Sequence, residues 1–351
     1  MLQLNRDNYA LISEYLASYY DVEVYEHGGI QHPVVNYPVS PEQAYDIDSI
    51  LGHLNTTTSN ADDMPFYNYA YLHTLQNSGR NLFNGTTYTL KRLRTTPLRI
   101  DAGLGTYFDM IATCIALEKE LIDVIEGGMV RLPMRSQYHR EYKAHESVLS
   151  GKGRSAAIGG VMLTVFNDEG AYKAIISQRT GEHATRPNAL HLLPAFIFQP
   201  MTANQAQADW TFKHHLYREY LEELVGMAEG ADNMYQHPAL KDLQAMEADG
   251  RAVINLTGVS LNLMTLRAEI SALMLIHDER WWRKMQSGED GYKLNTPETH
   301  DNLLLISLED NDEAIQSQLA DDYFLTMVPQ AIPAFWEGIA RARLLIKEQQ
   351  G

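Results

Sequence analysis

Only one cysteine, Cys114, occurs among the 351 residues, which excludes an internal disulfide and any structural zinc site built on several thiolates. A reducing compartment is the simplest setting for such a chain, and a cytoplasmic location is expected. Positive charge is scarce as well: 28 Lys and Arg stand against 45 Asp and Glu, a formal net charge of −17. Binding a nucleic acid polymer or an anionic membrane takes a basic footprint, so neither is an expected partner. Long hydrophobic runs are also missing. The most apolar stretch, 254–276, is broken by Asn262, Arg267 and Glu269, short of the about 20 apolar residues a bilayer-spanning helix needs. Residues 1–20 carry Asp7 and Glu14 and lack the basic flank and apolar run of a secretory signal. There is no repeat at a fixed period and no low-complexity tract.

What is present describes an ordinary globular protein, 45% hydrophobic and 21% charged, whose length suggests two domains. Residues 1–150, rich in Tyr and Asn, are expected to form an accessory domain of mixed helix and strand. Within them the polar run 55–63 reads as a loop, and 106–126 reads as an amphipathic core helix stopped by Gly127-Gly128. The small, glycine-containing stretch 145–155 reads as a flexible boundary. Its Gly151-Lys152-Gly153 lacks the spacing of a phosphate-binding loop.

Residues 151–351 form the second expected domain. Two β-rich runs, 161–166 and 172–177, flank Asn167-Asp168-Glu169-Gly170 and predict a hairpin. A third apolar run covers 190–198. A polar loop then leads to a helix over about 210–225, and strands are expected at 253–266 and 303–308. Residues 270–276 read as an apolar helix with Glu269 at its start, and 334–348 as a closing helix opened by Pro333. Helices and strands interleave without a regular alternation, so the fold class expected is α+β, a mixed sheet packed between helices.

The helix near residue 220 carries the chemistry. In Arg218-Glu219-Tyr220-Leu221-Glu222-Glu223 the turn of roughly 100° per residue puts three carboxylates on one face. Like charges so placed repel in water, whereas a hard divalent cation would hold them together. This stretch resembles the second half of the Nudix hydrolase signature, and the hairpin ending in Ser177-Gln178-Arg179 with Leu192-Leu193-Pro194 is similar to the family's preceding elements. The resemblance covers roughly 155–345. It departs from the family at several positions. Pro194-Ala195-Phe196 stands where Pro-Gly-Gly is usual, Asn204 and Trp210 occupy the box glycine and glutamate positions, and Gly226 falls one residue late.

The resemblance implies Mg²⁺ or Mn²⁺ held by Glu219, Glu222 and Glu223, with Arg218 orienting a carboxylate. Metal-activated water would attack a small nucleotide, a nucleoside diphosphate linked to another group. Arg179, Arg186 and Lys213 are candidate phosphate contacts, and Trp210 is a candidate for stacking on a base. Because the first half of the signature is lost, a catalytically silent nucleotide sensor is the alternative. A homodimer is possible.

Overall fold

The computed structural model describes residues 5–41, 46–58, 64–78, 82–126, 131–178, 189–228, 233–294, 302–309, 311–319 and 322–350. The first helix, Arg6–Tyr20, is capped by Asn5, whose side chain accepts the Asn8 amide at 2.8 Å. The strands follow in chain order: β1 Glu26–His27, β2 Ile30–Gln31, β3 Val34–Pro38, β4 Leu51–Thr58, β5 Thr86–Thr95, β6 Leu98–Thr106, β7 Gly159–Asp168, β8 Ala171–Gln178, β9 Leu190–Leu192, β10 Ala195–Ile197, β11 Ala252–Asn262, β12 Arg267–Ile276 and β13 Asn302–Ser307.

Eight of them make one mixed sheet with the order β13-β8-β7-β12-β11-β3, to which β9 and β10 add at β8 and β7. β7 and β12 run parallel at its centre, and the other pairs are antiparallel. A second sheet joins β4, β6 and β5, and β1 pairs with β2. The architecture is therefore α+β.

The central strands read as continuous apolar runs because both of their faces are covered. Along β7, Val161, Leu163 and Val165 enter the core beneath the helix Ala331–Gln350, while Met162 and Phe166 enter the core on the opposite face. β12 alternates in the same way, Leu273 and Leu275 against Ala272, Met274 and Ile276. This corrects the reading of 270–276 as a helix. An unbroken apolar run has the same appearance in a buried strand and a buried helix, and pairing with β7 and β11 decided it. The β7–β8 hairpin turns on Glu169 and Gly170, both at positive φ, as a two-residue turn requires. The run at 190–198 divides into β9 and β10. In the 106–126 helix a π turn, Ile111–Ile115, separates Tyr107–Met110 from Ala116–Glu126. Gly127 and Gly128 lie outside the described residues, as do 59–63 of the expected loop, whose earlier part belongs to β4.

Residues 145–155 are not a flexible linker. Leu149, Ala156 and Ile158 exchange main-chain hydrogen bonds of 2.8–2.9 Å with Leu93, Leu90 and Tyr88 of β5. Gly151 lies so close to this strand that a Cβ would sit 1.8 Å from the Leu90 carbonyl oxygen. The glycine there serves close approach of two backbones rather than mobility. β3 from the first 150 residues likewise hydrogen-bonds to β11 in the main sheet.

Two buried arginines add to these connections. Arg135 donates to the Tyr20 hydroxyl and to the carbonyls of Leu263 and Met264, the former at 3.2 Å. Arg154 donates to the Leu266 carbonyl at 3.1 Å and to the Tyr138 hydroxyl. Both hold the turn between β11 and β12, in which Leu266 has φ 56°.

Candidate functional site

The acidic helix begins at Phe212, capped by Thr211, whose hydroxyl accepts the His214 amide at 3.2 Å. The Asp48 carboxylate accepts the amides of Phe212 and Lys213 as well, so an acid from the first 150 residues satisfies the orphan donors of this helix end. Regular α-geometry stops at Glu219. Tyr220–Leu224 form a π turn, closed by Val225 donating to the Tyr220 carbonyl at 3.2 Å, and Gly226 follows at φ 75°. A π turn holds one residue more than an α turn. The one-residue lag of Gly226 is taken up there, between the first carboxylate and the C-cap glycine.

The carboxylates divide accordingly. Glu219 Oε1 accepts from Arg218 Nη2 at 2.8 Å and Nε at 3.3 Å, and Arg218 Nη1 also donates to the Gln199 carbonyl at 3.1 Å. Glu223 turns toward the sheet, where its Oε2 accepts the Ala195 amide at 2.7 Å. Glu219 and Glu222 line a cavity of about 480 Å³ with Arg218, and Phe83, Thr86, Gln199 and Thr202 also contribute to its wall. Among the described residues, no group of three or more His, Cys, Asp or Glu side chains is gathered so as to hold a metal ion. Of the three expected ligands, Glu219 and Glu222 line this cavity and Glu223 does not. The π turn over Tyr220–Leu224 ends the α-helical phase on which all three were placed on one face, and Glu223 is the one directed elsewhere.

The positions that depart from the Nudix signature are occupied by packing. Trp210 is buried, its indole N–H donates to the Gly52 carbonyl at 3.1 Å, and its ring lies 4.8 Å from that of Tyr88. Asp209, next to it, accepts the Met201 amide at 2.9 Å. Ala195 and Phe196, in place of two glycines, are strand residues paired with Val161 and Gly160. His215, one turn before Glu219, is fully buried among Tyr88, Phe196 and Phe198. Burial first, then the charge of Arg218, drives its pKa well down, so the ring is neutral.

Of the remaining candidates, Lys213 pairs with Glu247 at 3.0 Å and does not reach the cavity wall. Arg179 and Arg186 lie outside the described residues. Neither Trp210 nor Glu223 is part of that wall. Phe83, 83% exposed, and Thr86 complete the cavity from more than 110 residues upstream, and no local pattern distinguishes them in the sequence.

No protein-family model and no curated protein matches the chain. Among solved structures it is similar to a Nudix hydrolase from M. smegmatis, RenU, at 9% identity and a TM-score of 0.22, covering 55% of this chain and 88% of that one. A likeness of that size carries no argument about activity. Among the described residues, no helix is long and apolar enough to cross a membrane.

Proposed function

We propose that this chain is a Nudix-like domain that binds a small nucleoside-diphosphate derivative in the cavity beside Glu219 without hydrolysing it. The observation that carries the reading is the division of the acidic set: Glu223 is spent on the Ala195 amide, and the box glutamate position is a packed tryptophan. The cavity offers donors for phosphate and sugar oxygens in Arg218, Gln199, Thr86 and Thr202, and the exposed Phe83 ring offers a face for a base. Titration calorimetry with ADP-ribose, NADH and dinucleoside polyphosphates tests it, with recovery of intact ligand by chromatography. Binding without turnover, with or without Mg²⁺, is the expected result. Absence of binding by every ligand would overturn the reading.

A second reading, hydrolysis that depends on Mg²⁺ or Mn²⁺, is favoured by Glu219 and Glu222 facing one cavity. Metal-dependent release of a nucleotide from the same panel, lost in Glu222→Gln, would establish it over the first.

A further inference from the structure

On the nucleotide-binding reading of the cavity beside Glu219, on which this inference rests, we propose that Gln199 selects the base of the ligand and that this base is adenine, stacked on Phe83. Phe83 and Gln199 meet across Gly85. A Cβ placed on Gly85 would lie 3.7 Å from the amide nitrogen of Gln199 and 3.7 Å from two carbons of the Phe83 ring. The carboxamide and the ring therefore flank one gap, which the glycine leaves open, and all three residues line the cavity.

Hydrogen bonds hold both sides of the gap in place. The Gly85 carbonyl accepts the Tyr107 amide at 2.9 Å, and the Asn84 side chain accepts the Phe108 amide at 2.9 Å. Opposite them, the Gln199 carbonyl accepts Arg218 Nη1 at 3.1 Å, and Pro200 favours an extended backbone at Gln199. The carboxamide of Gln199 is left over: among the described residues it has no hydrogen-bond partner. The Phe83 ring is exposed. An open aromatic face beside an unengaged carboxamide suits a planar ring with a polar edge.

The chemistry of these two groups narrows the base. A carboxamide presents one acceptor and one donor side by side, which complements the amino group and neighbouring ring nitrogen of adenine in a bidentate pair. Guanine is matched instead by arginine or lysine. Among the described residues, Arg218 is the one such side chain in the wall. It donates to Glu219 at 2.8 Å and to the Gln199 carbonyl, so it is committed elsewhere. A purine also covers more of the Phe83 face than a pyrimidine does.

Titration calorimetry of the full chain with ADP-ribose and its guanine and 1,N6-ethenoadenine counterparts tests this, because the three ligands share one frame and differ only in the base. The etheno bridge blocks the amino group and its neighbouring ring nitrogen while keeping the face for stacking. ADP-ribose is expected to bind about tenfold more tightly than the other two. In Gln199→Ala the three are expected to bind alike, at the level of the ethenoadenine ligand in wild type. The Tm of that variant should be unchanged, since the lost carboxamide bonds to nothing among the described residues. Equal affinities for the three ligands in wild type would overturn the assignment of the base and leave nucleotide binding standing. So would an adenine preference that survives in Gln199→Ala. Absence of binding by all three would remove the nucleotide reading and the base assignment together.

Discussion

Replacing Arg135 with Met keeps most of the side chain's length and removes the guanidinium that joins Tyr20, Leu117, Leu263 and Met264. Three main-chain carbonyls and one hydroxyl then lose their donor in a region from which water is excluded. An acceptor stranded in this way costs about 1–3 kcal/mol, and cutting a buried charged network typically costs about 3–5 kcal/mol in total. We expect a loss of about 4 kcal/mol. For a chain of 351 residues, an unfolding entropy of about 2.1 cal/mol/K per residue converts that into a Tm lower by about 5 °C. Urea unfolding followed by far-UV and tryptophan signals measures it, with the exposed Arg140→Met as control. Because Arg135 joins the helix Pro133–Glu141 to the β11–β12 turn, both signals are expected to move together in one transition. A loss below about 1 kcal/mol, or a separate transition for the first 150 residues, would refute the reasoning.

Burial holds the His32 pKa down to about 4, against an ordinary 6.5. A folded-state value below the unfolded one makes the contribution complete above pH 6.5 and erodes it as the pH falls toward 4. Wild type is expected to lose up to about 3 kcal/mol more than His32→Gln across that window, measured by urea midpoints at each pH. Glu223→Ala is expected to cost about 1.5–3 kcal/mol by leaving the Ala195 amide without its carboxylate acceptor. Glu223→Gln, which keeps an acceptor, should lose less, and equal losses in thermal melts would count against that role. Phe83→Ala should weaken nucleotide binding roughly fivefold in calorimetry without lowering Tm, as expected for an exposed ring worth about 1 kcal/mol of stacking. Trp210→Phe should lower stability by about 1 kcal/mol through the lost bond to Gly52 and leave binding intact; a binding defect would return that residue to the site.

Much of this protein was legible from short-range pattern, because the relevant physics acts over a few residues. A Glu-Gly turn between β-branched runs specifies the β7–β8 hairpin wherever it lies in a fold. The acidic helix announced itself through side-chain phase, and its late glycine marked the place where the helix widens. The same locality explains the misreadings. Residues 270–276 and 145–155 look helical and mobile in isolation, and it took β7 and β11 to make the first an extended strand and β5 to fix the second by main-chain hydrogen bonds.

By itself the sequence determined the charge, the absence of a disulfide, the mixed class and the helix on which three acids cluster. Tertiary structure alone decided which of those acids face a cavity, that Ala195 takes one of them, that Trp210 packs on Gly52, and that Phe83 closes the wall. Periodicity records which side of its own helix a residue occupies. What stands on the other side of the gap is set by backbone brought from far along the chain, and that pairing leaves no trace at either position taken alone.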